Sequence, residues 1–382
     1  MRAVRVLLSA RDPASAAQAR PLVEAIRAEP RIALTVAASD PAFERLVDAG
    51  AEPIRFRLRD GSTHVPPGGN TAPLLAAAEG LLERVDPDVL VVGISSLGVG
   101  LDEALLARAG GRPTFALQDY PGDANAIEGA YAGTYLVRDE AAARLTTARF
   151  GVPAAPVGSL RHAAYARLDV ERLRADARTR LGTGPAQPVV GFFAQPPDIP
   201  GHEAAFGDLV EALRQHPSRP LVLVREHPKS PERRAQRVRA LRGAGVTVRD
   251  TSEDLSVEPS LAACDVVTTC FSHCSMDYAF LSAWSAEPLG SVVFLLTSEE
   301  MRRFVRSQVG LPLPDGVEAG LGLVAERPEN VAATLSRALG EAERRAYHEA
   351  SRRLPRECRL DTIIDTLLDS GRRGARRTGA RA

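Results

Sequence analysis

The sequence has few of the features that direct a chain to a membrane or to nucleic acid. Its apolar runs, such as Val89–Ile94, are all far shorter than the roughly 20 residues needed to cross a bilayer. The formal net charge is zero, so no overall field draws the chain toward nucleic acid or an anionic surface. We therefore expect no nucleic-acid partner and no integral membrane association.

Cysteine is scarce as well, and its spacing is unlike that of a metal site. Four cysteines in 382 residues do not indicate a disulfide framework, and Met1–Leu8 lacks the long apolar region of a signal peptide. Both observations predict a cytoplasmic protein. Cys264, Cys270 and Cys274 contain no Cys-x₂-Cys pair, so we expect no bound metal. A reactive Cys270 at the start of a helix is a separate alternative.

The sequence does contain a regular alternation of strands and helices. The helix predicted over Ala72–Val85 leads into the buried strand Asp88–Ile94, and another helix separates this strand from Thr114–Leu117. The alternation resumes after Gly158 and continues to a last strand, Ser291–Leu296. This pattern predicts an α/β protein with two tandem Rossmann-like domains, each a doubly wound parallel sheet, facing a cleft.

The phosphate-binding loops of the common nucleotide folds are missing from both halves. No G-x-G-x-x-G follows the first strand, and no G-x-x-x-x-G-K-[ST] occurs anywhere in the chain. We therefore predict no NAD-type or other cofactor. The end of the chain is predicted to form a helix over 346–369 that crosses back to the first domain. The basic tail over 370–382 is predicted to be disordered.

In the second half, a buried strand is followed by polar residues and a helix within Asp265–Leu281. This segment resembles the donor-site motif of the CDP-glycerol glycerophosphotransferase group and related GT-B transferases, which reads Thr-Asp-Tyr-Ser-Ser and then a helix with an acidic residue and Tyr-Ala. Cys270, Phe271 and His273 replace the family's Asp, Tyr and second Ser. The upstream segment Val222–Ser230 is similar to the family's strand that ends in His-Pro. The positions that match the motif are Thr269, Ser272, Asp277, Tyr278, Ala279 and Leu281.

The first half has Arg11 after its first strand, within Val6–Leu22, and the segment Asp86–Val92 farther on. Both places are similar to bacterial UDP-N-acetylglucosamine 2-epimerases, whose strand continues into Gly-Asp-Thr with a catalytic aspartate. Here the strand continues into Gly93-Ile94-Ser95-Ser96, which lacks the acid. Gly158–Arg161 resembles the turn at which GT-B chains enter their second domain. The resemblance implies an acceptor-side domain over 1–158 and a donor-nucleotide domain over 159–345.

Polar residues follow two strands of the second half in a pattern typical of an anion site. A helix that begins directly after a strand offers unpaired N–H groups and a partial positive charge at its N-terminus. The structural alternative is that Ser272 only caps the helix and that His227 packs beside Pro228. We predict a metal-independent site for the diphosphate of a nucleotide-linked donor, formed by Arg225, His227, Lys229, Thr269, Ser272, His273, Ser275 and Asp277.

Acidic residues follow the predicted strand ends of the first half. A transferase needs a general base for its acceptor, and Asp119 is our first candidate, with Asp12 the second and His227 a further catalytic residue. The structural alternatives are a helix cap for Asp12 and a turn for Asp123. We expect the acceptor side of the site to contain Arg11, Asp123, Asn125 and Glu128.

These features predict a GT-B type transferase that moves a glycosyl or polyol-phosphate group from a nucleotide-diphosphate donor to a small-molecule acceptor, in specialised metabolism. A UDP-sugar 2-epimerase or hydrolase is one alternative, which the missing aspartate disfavours. The other alternative is a non-catalytic GT-B-like protein that binds a nucleotide or a partner enzyme. Cys270 in place of the family's acid keeps that alternative open.

Overall fold

The computed structural model describes residues 2–94, 98–184, 186–196, 199–227, 230–251 and 255–379. The strands are β1 Val4–Ala10, β2 Ile32–Ala38, β3 Ile54–Arg55, β4 His64–Val65, β5 Val89–Gly93, β6 Val99–Gly100, β7 Thr114–Leu117, β8 Thr134–Val137, β9 Ala154–Pro156, β10 Val189–Phe193, β11 Leu221–Arg225, β12 Val248–Asp250, β13 Val266–Thr269, β14 Ser291–Leu295 and β15 Leu323–Ala325. The helices are α1 Pro13–Arg27, α2 Ala42–Asp48, α3 Ala72–Val85, α4 Leu101–Ala107, α5 Glu140–Phe150, α6 Val170–Arg180, α7 His202–Arg214, α8 Arg234–Gly243, α9 Val257–Ala263, α10 Cys274–Trp284, α11 Glu299–Val309, α12 Val331–Leu339, α13 Glu341–Ser351 and α14 Leu360–Gly379.

The chain folds into two compact units. Unit 1 contains the residues up to Ala164 together with the segment that begins at Pro355, and unit 2 is Tyr165–Leu354. The boundary predicted at 158 therefore falls inside unit 1. Gly158 has a φ of +84°, and a side chain there would collide with the carbonyl oxygen of Glu357. This glycine thus lets the chain pass closely beside the C-terminal segment of the same unit.

Unit 1 is a parallel sheet in the order β3-β2-β1-β5-β7-β8-β9. Alternate residues of β1 enter different cores. Val6 and Leu8 pack with α1, α2 and α14 on one face, while Leu7 packs with α3 and α4 on the other. Helices therefore cover both faces, as the continuous apolar strands predict.

The prediction of a disordered tail from residue 370 is wrong for the part that the structure describes. Helix α14 continues to Gly379, and it contacts β1 and α1 of unit 1. Its buried apolar residues recur at helical spacing just before residue 370, so this apolar face anchors the helix that continues into the basic segment. Gly371 lies against Val4, where a side chain would collide. The buried apolar residues of the helix are Ile363, Ile364, Leu367 and Leu368.

Unit 2 is a second parallel sheet, in the order β12-β11-β10-β13-β14-β15. The chain runs from β10 outward to β12 and then returns to β13 and runs to β15, so the strand order reverses between β10 and β13. In unit 1 the same reversal lies between β1 and β5. Ligands of open parallel sheets bind at the carboxyl ends of the strands beside such a switch point.

No helix in the described ranges is both long enough and apolar enough to span a membrane.

Candidate functional site

Asp119 follows the carboxyl end of β7 and is held by two side chains of unit 1. The Gln18 amide on α1 donates to Asp119 Oδ1 at 2.8 Å, and Arg161 Nη1 lies 3.9 Å from the same oxygen. Gln18 Oε1 also accepts from the backbone N–H of Arg161 at 3.3 Å. A hydrogen-bond donor and a cation therefore face this carboxylate and fix its orientation.

Asp123 lies in the same turn but has different surroundings. Burial raises the pKa of its carboxyl to about 6, with Arg149 opposing this effect and Glu103 adding to it. Gly122 allows the turn through a φ of +69°, and the Gln118 amide donates to the Asp123 carbonyl oxygen at 2.9 Å. Asp123 can therefore hold or release a proton close to neutral pH.

Asp12 is the N-cap of α1, as its structural alternative predicted. Asp12 Oδ1 accepts from the Ser15 N–H at 2.8 Å, and Ser15 Oγ accepts from the Asp12 N–H at 3.1 Å. Arg11 is only 7% exposed, and its Nη2 donates to the Gly98 carbonyl oxygen at 3.2 Å. The contacts of these two residues thus fix the loop between β1 and α1 and the short strand β6.

Two adjacent acids that the sequence analysis missed lie in the first turn of α4. Ser9 Oγ, at the end of β1, donates to Asp102 Oδ1 at 2.5 Å, while Asp102 Oδ2 has no hydrogen-bond partner among the described residues. Burial and the neighbouring Glu103 raise the pKa of Asp102 to about 7. Glu103 Oε2 accepts from the Gly100 N–H at 2.6 Å, and burial raises the pKa of Glu103 too. Asn125 hydrogen-bonds the Glu103 carboxylate.

A signal for these acids was present in the sequence. Leu101 precedes the pair, and Ala104, Leu105 and Leu106 follow it, so the helix is apolar around most of its circumference. Such a helix is buried on all sides, and its polar residues are buried with it.

Glu128 lies apart from these acids. Its carboxylate is exposed and 3.1 Å from Arg108 Nη1, so it forms an ion pair at the surface of unit 1. The structure brings Asn125, but not Glu128, to the buried acids of α4.

In unit 2, one of the side chains predicted to bind phosphate, that of Arg225, supports the fold. Arg225 Nη1 donates to the Leu255 carbonyl oxygen at 2.7 Å, and burial lowers the pKa of this guanidinium. The backbone N–H of His227 donates to Glu226 Oε1 at 3.2 Å. Lys229 lies outside the described residues.

A buried ion pair at the end of β11 was also missed. Arg237 Nε, on α8, donates to Glu226 Oε2 at 2.7 Å, and both side chains are 2% exposed. Arg237 Nη2 reaches Glu203 on α7 at 2.9 Å, and the guanidinium lies 4.7 Å from the centre of the Phe206 ring. This pair fixes two helices at the carboxyl end of the sheet.

Hydroxyl groups at the end of β13 and after it bond within their own loop. Thr269 Oγ1 donates to the Phe193 carbonyl oxygen at 3.0 Å and lies 3.2 Å from the Ser272 nitrogen. Ser272 Oγ accepts from the Cys274 N–H at 3.3 Å, and Ser275 Oγ donates to the Ser272 carbonyl oxygen at 2.9 Å. These contacts fix the loop that leads into α10. His273 is the N-cap residue of that helix, and Asp277 is buried in its first turn.

Gln195, which follows β10, contacts the same loop across the switch point. The Gln195 amide is oriented so that its oxygen faces hydrogen-bond donors. This oxygen accepts from the Phe271 N–H at 3.0 Å and from the Ser272 N–H at 2.5 Å. Its backbone N–H donates to His202 Nε2 at 3.1 Å. Two backbone donors after β13 therefore converge on one side-chain oxygen.

Buried donors without a partner lie after three strands of this sheet. The His202 ring accepts at Nε2 and, because burial lowers its pKa to about 4, is neutral with its proton on Nδ1. Nδ1 therefore needs an acceptor, as do an arginine nitrogen and two hydroxyls. Within the described residues, His202 Nδ1, Ser230 Oγ, Arg237 Nη1 and Thr297 Oγ1 are buried and have no hydrogen-bond partner.

A separate cleft of about 580 Å³ lies along β12 at the edge of the sheet of unit 2. It contains none of the residues predicted for the site, and it is lined by Thr179, Arg180, Leu181, Gly182, Arg249, Asp250 and Leu255.

Comparison with solved structures gives full-length matches. S. aureus MnaA in complex with UDP superposes with a TM-score of 0.67 at 13% identity, covering 94% of this chain and 95% of that one. The UDP-GlcNAc 2-epimerase of Neisseria meningitidis bound to UDP-GlcNAc gives 0.67 at 12% identity, covering 96% and 100%. A glycosyltransferase from Rickettsia africae gives 0.62 at 10% identity, covering 97% and 99%. The chain has the GT-B fold.

No protein-family model matches the chain, and no curated protein matches its sequence. The predicted fold class, two tandem doubly wound parallel sheets of the GT-B type, is confirmed. At these identities the likeness concerns the fold, and the activity has to be argued from the chain's own residues.

Proposed function

We propose that this protein is an enzyme that acts on a nucleotide-diphosphate sugar, of the UDP-sugar 2-epimerase or hydrolase class. The epimerase bound to UDP-GlcNAc and the protein bound to UDP share its fold over nearly their whole length, which favours this class over the transferase expected from the sequence. The chain lacks the aspartate of the Gly-Asp-Thr segment, which disfavours an epimerase. This objection is weaker because unit 1 contains further acids, Asp102 and Glu103.

The observation that carries the proposal is the set of buried donors without partners at the carboxyl end of the unit 2 sheet. His202, Ser230, Arg237 and Thr297 each present a hydrogen-bond donor and lack an acceptor among the described residues. Leaving such groups unpaired is costly, and a ligand rich in acceptor oxygens would satisfy them. A diphosphate next to a sheet switch point meets that need.

Two carboxyl groups of unit 1 are the candidates for proton transfer. Asp119 is a carboxylate held by Gln18 and Arg161, whereas Asp123 has its pKa raised to about 6. Two carboxyl groups whose surroundings differ in this way can serve as base and acid. Inversion of a sugar carbon or hydrolysis of the sugar–phosphate bond requires one group that accepts a proton and one that releases it.

A transferase is the second candidate. The Asp119 carboxylate, at the end of β7, could equally deprotonate a small acceptor, and a glycosyltransferase is among the structures with this fold.

The test is incubation with UDP-, dTDP-, GDP- and CDP-linked sugars in D₂O, without acceptor, followed by NMR. We expect a 2-epimer or free sugar from a UDP-linked substrate. Nucleotide diphosphate release only after an acceptor is added would instead establish the transferase. If none of these nucleotides binds in calorimetry, the proposal is wrong.

Variants of Asp119 and Asp123, with a matched control, test whether these residues transfer protons. Asp119→Asn and Asp123→Asn should each lower turnover by about 10²–10⁴-fold while UDP still binds, because each removes one proton-transfer group. Asp176→Asn, at an exposed carboxylate on α6, is the control and should leave the rate unchanged. Full turnover in both site variants would remove these residues from the mechanism.

A further inference from the structure

We propose that Gln195 is an internal competitor of the substrate, whose side-chain oxygen occupies the place of a phosphate oxygen until a nucleotide diphosphate displaces it. This inference rests on the proposed function and adds to it a residue that sets the affinity of the site. Gln195 lies between β10 and α7 and is 4% exposed.

The geometry of the contact supports this role. The N–H groups of Phe271 and Ser272 both reach the Gln195 oxygen, at 3.0 and 2.5 Å, and the Ser272 N–H also donates to Thr269 Oγ1 at 3.2 Å. Successive backbone N–H groups that converge in this way form an anion-binding concavity, and an amide oxygen is a weaker ligand for it than a phosphate oxygen. The concavity lies at the switch point between β10 and β13, where ligands of such sheets bind.

An independent observation next to Gln195 points to the same ligand. His202 is 1% exposed, it accepts from the Gln195 backbone N–H at 3.1 Å, and its Nδ1 donor has no partner among the described residues. The His202 contact holds the backbone of Gln195, so that only its side chain must rotate. Nδ1 faces away from Gln195 on the same ring and lacks an acceptor within the described part of the chain, so a ligand oxygen that reached it would satisfy a second buried donor.

Displacement has a measurable consequence. A phosphate oxygen can accept from Phe271 and Ser272 only after the Gln195 oxygen has left, and breaking these two hydrogen bonds reduces the observed affinity. Removing the competing oxygen should therefore strengthen binding, whereas a charged oxygen at the same place should weaken it. A residue that contacts the substrate directly, or that only supports the loop, would behave differently.

The experiment measures dissociation constants for UDP and inorganic pyrophosphate by calorimetry with the full-length chain. Gln195→Ala should bind both about three- to tenfold more tightly, the equivalent of one or two net hydrogen bonds. Gln195→Glu should bind both at least tenfold more weakly, because its carboxylate holds the N–H groups more strongly and repels phosphate. Gln187→Ala is the control, because Gln187 precedes β10 and its side chain accepts from Thr183 at the opposite end of the strand.

The outcomes separate the possibilities. Equal or weaker binding by Gln195→Ala, with UDP still bound by the natural chain, would overturn the competition and leave the proposed function standing. Failure of the natural chain and every variant to bind either ligand would overturn both proposals. If Gln195→Ala melts below the assay temperature, Gln195→Met replaces it, since it fills a similar volume without the acceptor oxygen.

Discussion

At the scale of single residues, the surroundings decide what each carboxyl group of unit 1 can do. Asp119 meets an amide donor and an arginine, whereas Asp102 and Asp123 are buried with their pKa raised to about 7 and about 6. The same functional group thus lies in different surroundings, and burial raises the pKa of two of the three carboxyls. The pKa of each carboxyl group in this region therefore depends on packing as much as on residue type.

Asp102 should make the stability of the protein depend on pH. Its native pKa is raised to about 7, so the native state binds the proton more tightly than the unfolded chain. The free energy of unfolding should consequently fall as pH rises from about 4 to about 7. Asp102→Asn removes this loss and should be more stable than the natural chain at pH 8 by on the order of 2–4 kcal/mol, with little difference at pH 4.

Urea denaturation at both pH values measures this difference. Charged groups near Asp102 are Glu103 on the same helix and Arg11 and Asp12 after β1, and they are unchanged in the variant. Asp176→Asn, at an exposed site, should show no difference between the two pH values. An equal effect of Asp102→Asn at pH 4 and pH 8 would contradict the buried-acid interpretation.

The sequence predicted the positions of those candidate residues that follow a strand end. Asp119 and Asp123 were expected together because a turn after a predicted strand displays them. Gln195 was not, because its partner N–H groups belong to a loop after a distant strand, β13. Arg225 illustrates the converse, since its position after β11 was predicted but its side chain binds the Leu255 carbonyl. Local sequence fixes where a residue lies in a loop, while tertiary contacts decide where its side chain points.

At the scale of elements, buried charge fixes the helices at the carboxyl end of the unit 2 sheet. Glu226 follows β11, Arg237 belongs to α8 and Glu203 to α7, so this cluster joins three elements. Because both members of the central pair are 2% exposed, each depends on the other for compensation of its charge.

Arg237→Met should therefore destabilise unit 2 strongly. The variant keeps much of the apolar contact with Phe206 but leaves Glu226 without its cation in a buried place. We expect a loss of about 3–5 kcal/mol in the free energy of unfolding, measured by urea denaturation. Arg214→Met is the control, because its partner Glu211 is exposed and such pairs contribute about 0–1 kcal/mol. A loss no larger than in the control would show that the cluster does not hold the helices.

At the scale of the whole molecule, each unit has its own parallel sheet, yet only unit 2 is continuous in sequence. The alternation of strands and helices predicted both sheets, because a buried parallel strand is apolar along its whole length. For the C-terminal segment, the sequence predicted a helix but not its continuation beyond residue 370. Its arginines indicated a solvated tail, but the apolar residues of α14 are buried by packing on unit 1.

This arrangement predicts different behaviour for fragments of the two units. Residues 165–354 contain a complete sheet with its helices and should unfold cooperatively when expressed alone. Residues 1–164 lack α14, whose four buried apolar side chains contribute together on the order of 6–12 kcal/mol. That amount is comparable to the total stability of a domain, about 5–15 kcal/mol, so this fragment should not unfold cooperatively.

Adding a peptide of residues 355–379 should restore a thermal transition in circular dichroism, because the peptide supplies the missing apolar face. The same peptide with Leu367→Asp is the control and should restore nothing. If the 1–164 fragment melted cooperatively at one temperature with and without the peptide, α14 would not be part of the core of unit 1.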